Sequence, residues 1–402
     1  MAKKAYVLIS GGLDSALAVK MLQDQGVEVV GVYISTGFCV SAQQKRNGRF
    51  DENKPDVFKV SEELGIELEV IDISQDYISI VANPKHGWGK NVNPCIDCRI
   101  HMLQKTKVLM DEKGGDFIAT GEVLGQRPKS QRRDTQDIIE SESGLKGLLV
   151  RPLSAQFYKP TIPETEGWID RDKLGKIEGR SRKKQMAMAK QYGLTMFTAP
   201  AGGCCYLTDE NYAVRFKELL LDIKGDDEKI GALTHEEMIL LSIGRHIKVR
   251  TGLKIACGRE EQENALIDHY KSGKIILKTT EKHPGPTAIL NIYENKDETA
   301  IAEELKHWQP DNINIDPTLA EACKNKSLPI SAFEIAICGS IVARYANSKT
   351  DQNVNIVLEK YNLDNQLEYS FEFISNPLSD PSIIDSRLMI KQNEKSILSN
   401  IA

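Results

Sequence analysis

The stretch SGGLDS, residues 10–15, stands between the apolar run AYVLI and residues 15–25, which have the composition of a helix. Two glycines between a buried strand and a helix N-terminus present backbone N–H groups where the helix end favours an anion. The stretch lacks both the GK[ST] ending of the Walker loop and the GxGxxG of dinucleotide folds. It predicts a phosphate-binding loop, and a tight turn capped by Asp or Ser is the alternative for the stretch taken alone.

Segments typical of strands and helices alternate through the first half of the chain. Strands are predicted at 5–9, 27–34, 66–73 and 117–122, and helices at 15–25 and 55–64. Such alternation predicts parallel βαβ units, and therefore a doubly wound α/β sheet that binds ligands at the carboxyl ends of its strands. We expect this domain to occupy residues 1–195.

The second half has a different pattern. Residues 196–282 contain AGGCCYLTD, a helical periodicity in NYAVRFKELLLDI and several basic residues, and they are predicted to form a linking region. HPGPTAILNI, at 283–292, indicates a new start because Pro and Gly precede a strand. Residues 283–402 are predicted to form a smaller α+β domain, with a helix in SAFEIAICGSIVARYAN and paired strands in NVNIVLEKY and LEYSFEFI.

Composition limits the class of protein. The chain has 402 residues, 41% of them hydrophobic, which is enough for two or three cores. It contains no apolar run of membrane-spanning length and enters a strand directly, so we expect no membrane span, no secretory signal and a cytoplasmic location. In that compartment, a close pair among its eight cysteines indicates metal or redox chemistry.

The spacing of the cysteines leaves several kinds of site open. NPCIDCR, at 93–99, places Cys95 and Cys98 three residues apart, and the next cysteines are Cys204 and Cys205. Three thiols could hold a [4Fe-4S] cluster, four could hold zinc, and a metal-free pair could carry a persulfide and resolve it as a disulfide. Ordinary buried thiols are the remaining alternative.

Five motifs follow one another in an order that resembles a known superfamily. They are SGGLDS, NPCIDCR, IATGEVLGQRPKSQ at 118–131, GRSRKKQ at 179–185, and PAGGC with LTD at 200–209. Their order over about residues 5–215 resembles the N-type ATP pyrophosphatases, or PP-loop superfamily, and within it the tRNA 2-thiouridylases and 4-thiouridine synthases. The resemblance implies an adenine nucleotide alpha hydrolase-like fold. It also implies cleavage of ATP between the α- and β-phosphates, in which a substrate oxygen is adenylated and AMP leaves.

The resemblance also implies which residues bind ATP. The phosphate loop would hold pyrophosphate through Ser10, Gly11, Gly12, Asp14 and Ser15. Asp14 would also lie near Mg²⁺. Adenosine would contact the residues that follow the second and fourth strands, namely Thr36, Thr120 and Gly121.

Iron–sulfur-dependent members of that group bind a cluster through three cysteines, which implies Cys95, Cys98 and Cys204 here. Cys204 is preferred to Cys205 because the glycine turn of AGGC ends on it. We take these three cysteines and Asp14 as the catalytic candidates, and the persulfide pair as the alternative. Cys39 follows the second strand and is a weaker candidate. The remaining cysteines have apolar neighbours and are predicted to pack in cores: Cys257, Cys323 and Cys338.

Basic residues cluster at 127–133, 179–184 and 244–254, although the net charge is −5. Such clusters near the site indicate a polyanion, with solvated helix faces as the alternative. The RNA-binding candidates are Arg127, Lys129, Arg132, Arg133, Arg180, Arg182 and Lys183. The C-terminal region, residues 283–402, weakly resembles the small RNA-associated domain of ribosome-rescue proteins, so it is a candidate for binding RNA.

These observations predict a tRNA sulfurtransferase that uses ATP, Mg²⁺ and a [4Fe-4S] cluster to convert a uridine into thiouridine. Its sulfur donor would be free sulfide or a cysteine desulfurase with its carriers. One rival function is sulfur transfer to a small metabolite. A rival of another class is a non-catalytic nucleotide- and RNA-binding protein.

Overall fold

The computed structural model describes residues 2–39, 57–197, 205–223, 225–293, 297–308, 313–326, 328–347, 353–378, 381–385 and 388. The chain divides into two compact units, Met1–Thr208 and Asp209–Ala402.

The first unit is built on a five-stranded parallel sheet with the strand order β3-β2-β1-β4-β5. The strands are β1 Lys4–Leu8, β2 Glu28–Ser35, β3 Glu67–Asp72, β4 Phe117–Thr120 and β5 Leu149–Val150. The predicted doubly wound α/β sheet is confirmed, and each of the four predicted strands is present within two residues of its expected ends.

Helices connect these strands. They are α1 Leu13–Gln23, α2 Val57–Leu64, α3 Asp76–Ala82, α4 Cys95–Lys113, α5 Arg133–Glu142, α6 Ile162–Thr165 and α7 Lys183–Gln191. Short 3-10 turns occur at Ala155–Phe157, Arg171–Lys173 and Tyr206–Thr208. Helix α1 is buried along most of its length, and its aliphatic side chains Leu13, Leu17 and Val19 join the sheet in one core. Gly26 follows it with a φ of 76°, as expected for a residue that ends a helix.

The second unit contains a six-stranded antiparallel sheet with the order β11-β10-β8-β9-β7-β6. The strands are β6 Arg245–Arg250, β7 Leu253–Cys257, β8 Ile275–Thr279, β9 Thr287–Ile292, β10 Val354–Tyr361 and β11 Leu367–Ser375. The helices are α8 Glu210–Asp222, α9 Asp227–Ala232, α10 His235–Leu240, α11 Glu261–His269, α12 Glu298–Leu305, α13 Pro317–Lys326, α14 Ala332–Tyr345 and α15 Pro381–Asp385. The predicted helix in SAFEIAICGSIVARYAN and the paired strands β10 and β11 are confirmed.

The boundaries differ from the three predicted segments, 1–195, 196–282 and 283–402. The first unit extends to Thr208 because the backbone N–H of Tyr206 donates to the carbonyl of Phe38 at 3.0 Å, which attaches this segment to the loop after β2. The expected boundary at 283 falls between β8 and β9, which are hydrogen-bonded neighbours. Residues on both sides of it therefore belong to one unit.

The core of the second unit explains two of its cysteines. Cys257 and Cys338 are fully buried among aliphatic side chains that include Leu253 and Ile341, as predicted. Burial raises the pKa of the Cys257 thiol to about 12, so this thiol stays protonated at neutral pH. Within the parts of the chain that the structure describes, no helix has the length and apolar character that a membrane crossing requires.

Candidate nucleotide and thiol site

The phosphate loop joins β1 to α1. Gly11 has a φ of 72°, a left-handed conformation that glycine adopts without strain, and Gly12 occupies the N-cap of α1 in an extended conformation. The Ser15 hydroxyl donates to the Gly12 carbonyl at 2.8 Å and accepts from the Ser10 N–H at 3.4 Å. The Ser15 hydroxyl thus holds the loop to the first turn of α1. The N-cap residue of α1 is a glycine, so no side chain occupies the space in front of the helix N-terminus. This is the arrangement that an anion-binding helix N-terminus requires.

Asp14 lies in the first turn of α1 with its two carboxylate oxygens in different surroundings. Oδ2 accepts a hydrogen bond from Gln126 Nε2 at 3.0 Å and lies 3.5 Å from the Arg182 guanidinium. Oδ1 is buried and has no hydrogen-bond partner among the described residues. A buried carboxylate oxygen beside a phosphate loop is a suitable ligand for Mg²⁺, so the chemistry of this position fits the expected metal.

Gly121 follows β4 and packs directly against the start of α1. A Cβ added at Gly121 would lie 2.5 Å from the Asp14 carbonyl carbon and 2.5 Å from the Ser15 nitrogen. Only glycine allows the end of β4 to approach the phosphate loop so closely. The two predicted nucleotide-binding motifs are therefore in contact through their backbones.

Thr36 and Thr120 are both buried where β2 and β4 end. The Thr36 hydroxyl accepts from the Phe38 N–H at 3.3 Å, and the Thr120 hydroxyl donates to Glu122 at 3.3 Å. Both residues stand at the carboxyl edge of the parallel sheet, where ligands of such sheets bind.

The CxxC motif forms the first turn of α4. Cys95 and Cys98 are half-buried there, and Cys98 Sγ lies 3.8 Å from the sulfur of Met102. Cysteines at i and i+3 lie on one face of a helix, and the partial positive charge of the helix N-terminus stabilises thiolates. The turn can therefore present two soft anionic ligands or nucleophiles side by side.

An ion-pair network connects this helix to the nucleotide edge. Arg99, next to Cys98, lies 3.1 Å from Glu122, and Arg151 lies 3.3 Å from the other oxygen of that carboxylate. Burial alone would lower the pKa of Arg151, but Glu122 and Glu140 outweigh it and raise the pKa. The sequence analysis did not select this network, although Arg99 and Glu122 directly follow the CxxC and ATG motifs.

The segment at 205–208 brings the distant cysteine region to the same place. Cys205 pairs with Cys39 in an isolated antiparallel bridge after β2. The Leu207 carbonyl accepts from the Val92 N–H at 3.3 Å, three residues before Cys95. The segment thus lies between the nucleotide edge of the sheet and the cysteine helix.

Two of the three predicted cluster ligands, Cys95 and Cys98, lie among the described residues. Cys204, the expected third ligand, lies outside the described residues. Across the described ranges, no three His, Cys, Asp or Glu side chains come together in the way that a metal ion needs. Cys95 and Cys98 fit two positions of a thiolate-bound metal centre, and the expected third ligand adjoins Cys205.

The first two basic clusters approach the phosphate loop. The Gly179 N–H donates to the Leu124 carbonyl at 2.7 Å, which aligns the segment after 178 with the one after 123. Arg182 contacts Asp14, as described above, and the Lys129 ammonium donates to the Trp88 carbonyl at 2.6 Å, across the loop before the cysteine helix.

Other basic residues of these clusters contact different groups. Arg133 donates to the Phe157 carbonyl at 2.7 Å, and Arg132 pairs with Asp134 at 3.4 Å. The remaining candidates of these clusters are exposed: Arg127, Arg180 and Lys183.

The third cluster, at 244–254, was expected to face a polyanion, and this expectation is wrong for Arg250 and Lys254. Arg250 is buried in an ion pair with Glu334, and Lys254 is buried in an ion pair with Asp222. His246 is buried as well. These charges are neutralised inside the second unit and do not form an exposed basic face.

Two family models match the chain. The model described as a tRNA methyl transferase HUP domain matches residues 3–141, and the model described as an NFACT protein RNA binding domain matches residues 244–306.

Among the most similar curated relatives are proteins named tRNA-specific 2-thiouridylase MnmA. The one from Nitratiruptor sp. is 34% identical over 125 residues, which are 30% of this chain and 35% of the relative. The one from Methylobacillus flagellatus is 31% identical over 172 residues, which are 40% of this chain and 46% of the relative. A more extended match, to the one from Dichelobacter nodosus, is 23% identical and covers 69% of this chain and 71% of the relative. The chain thus spans a third to a half of the length of the first two relatives.

Solved structures give weaker matches. A Methanocaldococcus jannaschii protein described as a predicted subunit of tRNA methyltransferase aligns at 15% identity and a TM-score of 0.30, over 47% of this chain and 76% of that one. A 4-thiouridine synthetase in a complex with RNA and ATP aligns at 19% identity and a TM-score of 0.29, over 48% of this chain and 52% of that one.

Proposed function

We propose that the chain is an ATP-dependent tRNA sulfurtransferase, a function supported by the match of residues 3–141 to a tRNA methyl transferase HUP domain model and by the similarity to tRNA-specific 2-thiouridylases. The observation that supports this function most is the meeting of three elements at one edge of the parallel sheet. These are the phosphate loop, the loop after β2 and the start of the cysteine helix. Coupling ATP cleavage to sulfur transfer requires both reacting groups in one place.

The phosphate loop is proposed to hold the pyrophosphate part of ATP. Ser10, Gly11, Gly12 and Ser15 would contribute the loop, and Asp14 would contribute its buried oxygen Oδ1 to Mg²⁺. Thr36, Thr120 and Gly121 would line the adenosine side. With the cation bound, Arg182 would exchange part of its contact with Asp14 for the phosphates, which are stronger partners for a guanidinium.

The proposed reaction has two displacements. In the first, the carbonyl oxygen of a uridine attacks the α-phosphorus of ATP, the bond to the β-phosphate breaks, and pyrophosphate leaves. In the second, a sulfur nucleophile attacks the carbon of the activated carbonyl, and AMP leaves with the former carbonyl oxygen. The loop amides and Arg182 would stabilise the charge on the leaving pyrophosphate.

For the sulfur site we propose Cys95, Cys98 and Cys204 as ligands of a [4Fe-4S] cluster. When bound, such a cluster supplies a soft iron position for sulfide. The protein would orient Cys95 and Cys98 through the first turn of α4 and hold that turn to the sheet by the Arg99–Glu122 ion pair. A persulfide carried by the same thiols and resolved as a disulfide is the alternative chemistry.

Recognition of tRNA is proposed to involve both units. Arg127, Arg180 and Lys183 are exposed near the phosphate loop, where phosphates of a bound RNA would be attracted. In the second unit, residues 244–306 match an RNA-binding domain model, which supports a second RNA contact there. In the cytoplasm, sulfide or a desulfurase relay would supply the sulfur.

The function is tested by incubating the anaerobically purified full chain with tRNA, ATP, Mg²⁺ and sulfide, and measuring thiouridine and AMP by mass spectrometry. We expect both products in equal amounts and only when tRNA is present. Cys95→Ala, Cys98→Ala and Cys204→Ala should abolish thiouridine, and Cys323→Ala, in the second unit, should retain it.

Iron and acid-labile sulfide, measured on the same preparations, distinguish the two sulfur chemistries. Cluster loss in the three active-site variants and retention in Cys205→Ala supports the proposed ligands. Thiouridine formation without iron supports the persulfide alternative. RNA binding without any AMP production would instead favour a non-catalytic protein, and AMP production that needs a small metabolite would favour the metabolite rival.

A further inference from the structure

We propose that Cys39 and Cys205 form a redox-active thiol pair, which a low-molecular-weight disulfide oxidises to an intramolecular disulfide bond. The proposal concerns two cysteines outside the expected ligand set. It stands on the backbone pairing of these residues and does not depend on sulfur transfer.

The pairing register brings the two residues face to face. Cys39 and Cys205 are the opposed residues of an isolated antiparallel bridge, and the Tyr206 N–H donates to the Phe38 carbonyl at 3.0 Å. Tyr206 follows Cys205 and Phe38 precedes Cys39. A hydrogen bond between these two flanking residues shows that Cys39 and Cys205 form a non-hydrogen-bonded antiparallel pair. In such a pair the Cα atoms lie about 4.5 Å apart and the side chains are on the same face. A disulfide requires Cα atoms about 4.4–6.8 Å apart, so the register satisfies its main geometric condition.

Aromatic packing holds the two segments in this register. The Tyr206 and Phe38 rings have centroids 5.4 Å apart, and Phe38 also contacts the Tyr77 ring at 5.7 Å. Phe38 is fully buried in this cluster. The backbone pair that carries the two cysteines is therefore held by packed aromatic rings, which restricts how far the two residues can separate.

The two thiols differ in accessibility, which gives the reaction an order. Cys39 is half-buried and lies 3.7 Å from the Thr36 hydroxyl, whereas Cys205 is only 7% exposed. Cys39 would attack the small disulfide first, forming a mixed disulfide and releasing one thiol. Cys205 would then attack the Cys39 sulfur, the second small thiol would leave, and a bond between Cys39 and Cys205 would form. Two protein thiols lose two electrons in all, and one small disulfide is reduced to two thiols.

The disulfide would connect two segments that adjoin predicted site residues. The loop after β2 carries Thr36, and the other segment begins beside Cys204. Oxidation would therefore fix the backbone next to the expected adenosine contact.

The test equilibrates the full-length protein in mixtures of reduced and oxidised glutathione, alkylates the remaining thiols and maps disulfide-linked peptides by mass spectrometry. We expect the link to increase with the oxidised fraction and the total of alkylated thiols to fall by two. Cys39→Ser and Cys205→Ser should each abolish the link. Cys204→Ser is essential, because Cys204 and Cys205 lie in one tryptic peptide, and it should retain the link. Cys323→Ser serves as the unrelated thiol control and should also retain it.

Either of two results would overturn the proposal. The first is a link that persists in Cys205→Ser and disappears in Cys204→Ser. The second is wild-type protein in which Cys39 and Cys205 acquire only separate glutathione adducts, or stay reduced, across the whole range of mixtures. Because the second result is read on the unaltered chain, misfolding of a variant cannot conceal it.

Discussion

Gly121 packs on the backbone of the first turn of α1, with no room for a side chain. Because a Cβ there would lie within 2.6 Å of three backbone atoms, Gly121→Ala must separate the end of β4 from the phosphate loop. We expect it to lower the free energy of unfolding by about 1–3 kcal/mol, the usual cost of overpacking, and to weaken ATP binding. Denaturant unfolding and calorimetric titration with ATP measure the two effects.

Gly231 provides the matched control, since a Cβ at that position would meet nothing within 4 Å. Gly231 lies in helix α9, so Gly231→Ala should raise the free energy of unfolding by up to about 1 kcal/mol, the gain in helix propensity, and leave ATP affinity unchanged. Equal ATP affinity in Gly121→Ala and the wild type would contradict the contact between the two motifs.

Arg182 was selected from the sequence as an RNA-binding residue, but its guanidinium contacts Asp14 of the phosphate loop. We therefore predict that Arg182→Ala raises the KM for ATP about tenfold or more, which corresponds to the loss of one charge-assisted contact of about 1.5–3 kcal/mol. Its effect on tRNA affinity should be smaller. Lys184, an exposed residue two positions on, is the control, and Lys184→Ala should leave the KM for ATP unchanged. A variant of Arg182 that loses tRNA affinity at an unaltered KM for ATP would contradict the nucleotide role.

At the scale of elements, the ion pairs of Glu122 attach the cysteine helix α4 to the end of β4. Glu122 is 2% exposed and pairs with Arg99 and Arg151, and Arg151 is itself buried. Glu122→Gln would leave buried positive charge without its main partner, a change that costs about 3–5 kcal/mol. We expect a corresponding loss of stability in urea unfolding, and thiolation to fall with it because the first turn of α4 loses its anchor.

The control for Glu122 is an exposed ion pair on the same helix. Lys105 lies 3.0 Å from Asp76, and both side chains are solvent-accessible. Asp76→Asn should therefore cost less than about 1 kcal/mol. Similar stability losses in Asp76→Asn and Glu122→Gln would show that the network does not anchor the helix.

In strand β6 of the second unit, His246 is buried and its Nε2 lies 2.8 Å from the Ile243 carbonyl. Burial, helped by the charge of Arg215, lowers the pKa of His246 well below its usual value. In the unfolded chain the histidine binds a proton near pH 6.5, whereas in the folded chain it stays neutral at that pH. Folding stability is therefore unaffected by this residue above that pH and decreases as the pH falls below it. We predict a loss of about 1.4 kcal/mol per pH unit below about pH 6.

The measurement is denaturant unfolding between pH 7 and pH 5. His246→Gln should reduce the pH slope of the second unit, and His269→Gln, at an exposed position of α11, should leave it unchanged. An identical slope in the His246 variant and the wild type would contradict the buried neutral ring.

Hydrophobic patterns within a short stretch of sequence predicted individual strands well. The β-branched run at 27–34 forms the largely buried strand β2, because such runs suit a buried parallel sheet, and the alternating stretch at 66–73 forms the edge strand β3. Charge was less informative: the basic residues at 244–254 could not be separated, by composition, into exposed charges and the buried partners of Asp222 and Glu334. Those partners come from helices far along the chain, and only the tertiary structure joins them.

At the scale of the whole molecule, the sequence analysis predicted the sheet and the phosphate loop but not the division into two units. Turn residues at 283–286 suggested a boundary, yet β8 and β9 pair across them in one antiparallel sheet. Backbone hydrogen bonds and the packing of Tyr206 on Phe38 attach 205–208 to residues 38 and 92, and the sequence carries no periodic signal for such contacts between distant segments. The Leu207 carbonyl does contact the Val92 N–H, three residues before the CxxC motif, whereas the expected proximity of Cys204 to that motif stays a prediction.

In the proposed reaction, ATP activates a uridine carbonyl oxygen and sulfur replaces it. The most direct test uses tRNA whose uridine carbonyl oxygens carry ¹⁸O, with the full chain, unlabelled ATP, Mg²⁺ and sulfide. We expect one ¹⁸O atom to appear in AMP for each thiouridine formed, because the carbonyl oxygen leaves on the α-phosphate. Thiouridine formed with unlabelled AMP, or cleavage of ATP to ADP and phosphate, would contradict it.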